Sequence, residues 1–184
     1  MERQGARGLQ ALTDRLAGPL FTRPEPRAVF RDLVRALLSD VPRENSWQLS
    51  DHIGHPTANR FEHLLARAKW DPDRLRDEVR RYVVDHLAHP GAVLIADDTA
   101  ALKRGDQSAG VTRQYCGRTG QVENCQAMPM LTHASPAGHT FINRRLYLPE
   151  TWTGDPAHRA RAHIPDQIAF ATNPQLVITM LQEE

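Results

Sequence analysis

Cysteine is nearly missing from this 184-residue chain. Cys116 and Cys125 are the only two, and they have neither a C-x-x-C spacing nor metal-ligating neighbours. This excludes a disulfide framework and a thiolate zinc site, and predicts free reduced thiols ahead of a single disulfide. Long hydrophobic runs are missing as well, as is a leader of basic residues followed by apolar ones; a cytoplasmic protein with no membrane partner is expected. Charge of one sign is also lacking. With 23 basic and 22 acidic residues the net charge is +1, so no global signature of nucleic-acid binding exists and any such surface is local. Lysine is almost absent, only Lys69 and Lys103. Arginine in its place suits phosphate contacts, although codon usage in a GC-rich genome accounts for it equally simply. There are no internal repeats or low-complexity tracts.

What is present is an ordinary globular composition, 40% hydrophobic and 24% charged, enough for one domain with a core and a helical appendage. Charge shifts along the chain: residues 1–90 carry 15 basic and 13 acidic groups, 91–148 carry 6 and 4, and 149–184 carry 2 and 5. The middle segment is therefore slightly basic.

Glycines 5, 8 and 18 and prolines 19, 24 and 26 predict a poorly ordered arm over 1–27, with one helical turn around Leu9 to Leu16. Residues 28–90 read as helical. Val29, Phe30, Leu33, Val34, Leu37 and Leu38 share one face, and Pro42 stops that helix. "SWQLSDHIGHPTANRFEHLLARAKW" reads as two short helices parted by Gly54, His55 and Pro56, with Thr57 capping the second, which is helix-turn-helix grammar. "DPDRLRDEVRRYVVDHL" opens on an Asp71 cap and Pro72 and places Leu75, Val79, Tyr82, Val83 and Leu87 at helical spacing.

From residue 91 the period changes. "AVLIAD" reads as a buried central strand. "QVENCQAMPMLTHAS" and "HTFINRRLYLP" read as a long hairpin turning at Pro136, Ala137 and Gly138. "DPAHRARAH" and "NPQLVITMLQEE" each start with an acid or amide cap followed by proline, a helix start. Pro129 removes a ladder donor from the first hairpin strand, so a bulge or local damage is expected there.

The first strand runs straight into Asp97 and Asp98, followed by Thr99. A carboxylate at the end of a buried strand is costly unless it meets a cation or a hydrogen-bond network. A phosphatase of the D-x-D kind needs an intervening residue that this pair lacks. A two-metal nuclease or transferase, with one strand-borne Asp among its ligands, fits a strand, an acid and then a hairpin. The plain alternative is that an acid caps a turn with Thr99.

Beyond this stretch, "IADDTAALKRGD", G-V-x-R-Q-Y-x-G (110–117), E-N-C-Q (123–126), R-L-Y-L-P-x-x-W (145–152) and F-x-T-x-P-Q-L (170–176) occur in order. Over residues 45–184 the chain resembles bacterial insertion-sequence transposases of the DDE (Asp-Asp-Glu) superfamily. The resemblance implies an α+β fold, an N-terminal helical DNA-binding region followed by an incomplete RNase H-like mixed sheet with helices over 91–184. It implies metal-dependent DNA cleavage and strand transfer, with three carboxylates holding two Mg²⁺ (or Mn²⁺) ions, and a cytoplasmic, nucleoid-associated site of action. Asp97 matches the first acid of the family pattern and is the expected metal ligand; Asp98 is the flanking catalytic acid, unless strand register reverses the two.

The chain departs from the family after that. The second Asp and the Glu would fall beyond Glu184, and Asp155, Asp166, Glu183 and Glu184 match neither. The expectation is thus the N-terminal portion of a transposase, catalytically incompetent alone, or a transposase-derived DNA-binding protein or inhibitor. DNA (transposon ends and target) is the expected partner, with a second copy or a full-length transposase beside it. Asn59 and Arg60, with Thr57 and His63, are candidates to face a major groove. Lys103, Arg104 and Arg113, with Arg144 and Arg145, are candidates for phosphate contact. Tyr115 and Trp152 either stack on bases or pack in the core. His86 and His89 are too few for zinc.

Overall fold

The structure is a computed structural model and describes residues 2–183. The chain divides into two compact units, Met1–Val79 and Arg80–Glu184. The division falls inside the fifth helix rather than at residue 90.

The first unit is all helix: α1 (Glu2–Leu20), α2 (Pro24–Leu37), α3 (Ser46–His52) and α4 (Asn59–Ala66), followed by the start of α5 (Pro72–Leu87). The arm expected over 1–27 is instead the longest helix of the chain. Leu12, Thr13, Leu16, Ala17 and Leu20 form one stripe, which packs with Phe21, Phe30, Leu33, Phe61 and Leu64 into a single core. The glycines that suggested disorder face open space, where their missing side chains cost no packing. Pro19 stands in the last turn. Past it, Arg27 takes over the orphan carbonyls, donating from Nε to Phe21 O (2.7 Å) and from Nη2 to Gly18 O (3.3 Å).

The two short helices come as expected, but Ala58 rather than Thr57 holds the N-cap position of α4, without a side-chain bond. Asp71 does cap α5, accepting the Asp73 N–H at 2.8 Å.

In the second unit, β1 (Val93–Leu102), β2 (Thr112–Cys116), β3 (Gln121–Ser135) and β4 (Gly138–Arg144) form one antiparallel sheet, followed by α6 (Glu150–Thr153), α7 (Pro156–Arg161) and α8 (Asn173–Gln182). The whole is mixed α+β. The long β3 is its spine: β1 pairs along one edge over Cys125–Ala134, while the other edge is shared by β2 at its start and β4 at its end.

Two expectations change here. β1 is an edge strand with Val93, Leu94 and Ile95 exposed, not a buried central one; an apolar run of this length carries no signal for which of its sides finds a partner. Pro129 causes no bulge. Its carbonyl accepts the Arg145 N–H (3.0 Å), on the side away from β1, so the donor it lacks would point where β4 has just ended. The irregularity lies instead between Leu131 and Thr132, against β4.

Alternation along β3 buries Cys125, Ala127, Pro129 and Leu131 on one face. Across that face lies α8, whose Met180 is fully buried. Its start is fixed by Thr172, not Asn173 as the sequence suggested: Thr172 Oγ1 accepts from Gln175 N while Gln175 Oε1 accepts from Thr172 N, a closed capping box. Its end is held where Glu183 accepts from Asn143 Nδ2 (3.1 Å) and pairs with Arg145. Both cysteines are free and buried. Burial, reinforced by the neighbouring Cys116, pushes the Cys125 thiol up.

Candidate active site: the acid pair on the edge strand

Strand register separates the two acids. Asp98 lies opposite Pro129, and Asp97 opposite Met130. Directly paired residues share a face, so Asp98 stands on the α8-covered face with Pro129, and Asp97 on the other. The Asp98–Pro129 pair makes no ladder bond, which leaves the Asp98 N–H pointing to the open edge. Asp97 satisfies it: its Oδ1 accepts that N–H at 2.8 Å. Asp97 thereby closes an orphan donor on an unpaired edge, and Asp98 keeps its carboxylate uncommitted.

Beside Asp98 lies an open cleft of about 410 Å³, lined by Ala96, Asp97, Asp98, Pro129, Asn173, Pro174, Val177 and Ile178. β1 supplies its acids and the first turns of α8 its far wall. The polar side chains that line it are Asp98, Asn173 and Asp97, the last already committed to the edge N–H; carboxylate and amide oxygens are the hard donors that Mg²⁺ or Mn²⁺ take. Among the described residues, no three His, Cys, Asp or Glu side chains gather anywhere. Asn173 escaped the reading of the sequence because an amide just before a helical proline looks like a cap; only the Thr172–Gln175 box shows that it has no such duty.

The other candidates fall into separate places. Asn59, Arg60 and His63 are exposed on α4, while Phe61 and Leu64 of the same helix are buried. In the second unit, Lys103 donates its N–H to Asn124 O (2.9 Å), and Asn124 lies opposite Arg113. Lys103 and Arg113 therefore flank one cross-strand row on the face opposite α8, with Arg104 exposed next to it. At ~3.3 Å per residue, Lys103 is roughly 20 Å along the strand from Asp97. This row is not part of the acid cleft.

Arg145 is structural, since it donates to Asn143 Oδ1 (3.0 Å) and pairs with Glu183. Trp152 is core: it is buried, donates Nε1–H to Val111 O (2.8 Å) and stacks on His158. Tyr115 is exposed on β2. His86 contacts Tyr82 O through Nδ1 (2.8 Å), and His89 accepts the Gly91 N–H (3.0 Å), so neither is placed as a zinc ligand.

The chain belongs to the DDE superfamily endonuclease family, whose model matches residues 18–184. Over 95 residues it is 27% identical to a probable transposase for insertion sequence element IS701 of Microchaete diplosiphon. That match covers 52% of this chain and 25% of the relative, so the matched segment spans about a quarter of that protein's length. No solved structure matches it. Among the described residues, no helix is long and apolar enough to cross a membrane.

Proposed function

We propose that this chain acts on DNA in transposition, its helical unit contacting DNA and its sheet unit bringing Asp98 to a phosphodiester. The observation that carries this reading is the register of β1, which turns Asp98 into the cleft beneath α8 in a chain of the DDE superfamily endonuclease family. That register also favours Asp98 over Asp97 as the metal ligand. Asp97, bonded to the edge N–H, positions the end of the strand. The relative's name supports element ends and target DNA as partners. An antiparallel β1–β3 pair, a hairpin into β4 and a following helix fit an RNase H-like sheet.

Asp98 would hold a divalent ion, Mg²⁺ or Mn²⁺. Such an ion, when bound, polarises the phosphate and activates the attacking oxygen. Asn59 and Arg60 supply groove contacts, and Lys103, Arg104 and Arg113 supply phosphate contacts along the strand. Two carboxylates and one amide are fewer donors than two ions take. This favours a second reading, in which the chain binds DNA in the cytoplasm, at the nucleoid, without cutting it, alone or assembled with a second copy or a full-length transposase.

Plasmid carrying element-end DNA tests both. Binding is expected to weaken with salt, Arg113→Ala to reduce the slope of log K against log salt by about 1, and Mg²⁺-dependent nicking to be absent. Nicking lost in Asp98→Ala would make the chain a nuclease by itself and sink the second reading; absence of DNA binding would sink the proposal.

A further inference from the structure

Cations of the sheet unit divide into those spent on the fold and those left over. Arg145 pairs with Glu183, and Arg159 donates to Thr153 O (3.1 Å), Ile168 O (2.9 Å) and Pro165 O (2.6 Å). The side chains of Lys103, Arg104 and Arg113 make no hydrogen bond or ion pair among the described residues. Tyr115, two residues from Arg113 on β2, is 67% exposed, and neither its ring nor its hydroxyl has a partner there. An aromatic ring left in water is a cost that packing within the chain does not recover.

Register brings these side chains together. Tyr115 lies opposite Val122 and Arg113 opposite Asn124, whose O accepts the Lys103 N–H (2.9 Å). Paired residues share a face, so Tyr115, Arg113 and Lys103 stand on the face opposite α8. Tyr115 and Arg113 are ~7 Å apart along β2, and Arg113 and Lys103 roughly 10 Å apart across β3. Of the strand carboxylates only Asp97 shares that face, roughly 20 Å from Lys103. Asp106, in the loop that follows Arg104, is bonded by Gln107 Nε2 (2.6 Å) and lies near Arg161 of α7. The surface is held in place: Gln114 Nε2 donates to Cys125 O (2.9 Å), and Asn124 Nδ2 to Lys103 O (2.9 Å) and Gly105 O (3.0 Å). The exposed apolar residues Ile95 and Phe141 belong to the other end of β3, where both lie opposite Thr132.

We propose that this end of the sheet binds single-stranded DNA, an unpaired base stacking on the Tyr115 ring and its flanking phosphates meeting Arg113 and Lys103, an inference that rests on the function proposed above. A duplex keeps its base faces inside its own stack and offers a protein only base edges, sugars and phosphates. A basic row by itself serves either form. An exposed ring set within that row on a sheet face serves the form whose base faces are free. Because β2 is pinned to β3 on both sides of Tyr115, the ring is positioned before any strand arrives.

Fluorescence anisotropy of a labelled mixed-sequence oligodeoxynucleotide, single-stranded or annealed to its complement, tests this on the 184-residue chain. Tyr115→Ala is expected to weaken single-strand binding about tenfold and to leave duplex binding unchanged. Tyr115→Phe, which keeps the ring, is expected to bind as the parent does. Arg113→Ala is expected to weaken binding of both forms. With 5-iodouracil placed in the single strand, irradiation of the parent complex is expected to crosslink Tyr115, as mapped by mass spectrometry. No loss in Tyr115→Ala, or an equal loss on both forms, would overturn the stacking role and leave the proposed DNA binding standing. Failure of the parent to bind either form would overturn both. Circular dichroism melting reports whether each variant folds. If Tyr115→Ala does not, the crosslink decides alone: a Tyr115 adduct supports the assignment, and adducts confined to other residues overturn it.

Discussion

Gly110 shows how much one position can hold in the sheet unit. Its φ is +77°, and a Cβ added there would stand 2.6 Å from Tyr147 O, a backbone atom. Both neighbours are tied down: Ala109 O accepts from Gln126 Nε2 (2.6 Å), and Val111 O from Trp152 Nε1 (2.8 Å). Tyr147 in turn donates its N–H to Ala127 O (3.0 Å). Neither the left-handed backbone nor the 145–147 segment can give way separately. Gly110→Ala is expected to destabilise the chain by about 3 kcal/mol, read as a lower urea midpoint. A midpoint within error of the parent would show that the 145–147 segment shifts freely. Asp98 and Asn173 belong to this scale too, since what distinguishes each from its neighbour is a single bond: Asp97 is spent on the edge N–H, and Thr172 on the helix cap.

Among the elements, α7 has a start that depends on pH. Its Asp155 carboxyl accepts the N–H groups of His158 (3.2 Å) and Ala157 (2.8 Å), which hold it below its usual value of 3.8. A depressed folded pKa stabilises the folded state above the unfolded value, and that contribution is lost as pH falls through the folded one. Below pH 3.8, therefore, α7 is expected to fray before the sheet. Hydrogen exchange of residues 156–161 should rise on acidification in the parent. In Asp155→Asn, which keeps an accepting oxygen but no titratable group, it should stay flat; equal rises in both chains would refute the assignment. α8 starts without such a dependence, since its cap is built from a hydroxyl and an amide.

On the scale of the whole molecule, the sheet unit leaves surface that its own elements do not cover. The outer edge of β1 has no strand partner among the described residues. The face opposite α8 exposes Val93, Ile95, Val122, Tyr115 and Phe141. A ten-residue edge strand that begins with Val93, Leu94 and Ile95, next to an apolar face, invites pairing with another chain. Sedimentation is expected to show a weight-average mass rising with concentration from 20.7 kDa, and Ile95→Lys to hold it at the monomer value, because a charge on an edge strand opposes pairing. A parent chain that stays monomeric at high concentration would show that the face is tolerated in water.

Most helices were legible from the sequence. Apolar spacing marks α2 and α5, and an acid before proline marks α7, because these signals act within one or two turns. The β3–β4 hairpin was legible for the same local reason. β2 was not, because five residues with mixed polarity show no clear period until a neighbouring strand pairs with them. The arm was misread because glycine and proline weigh against a helix locally, whereas α1 is held by a core formed with α2 and α4, distant in sequence.

The sequence by itself determined which residues are present for chemistry: two adjacent acids after an apolar strand, arginines in place of lysines, and the ordered motifs that mark the family. Only the tertiary structure decided which acid is available. Side chains alternate along a strand with a period of two, so the pairing with β3, and nothing in the pair itself, turns Asp98 toward α8 and Asp97 toward the edge.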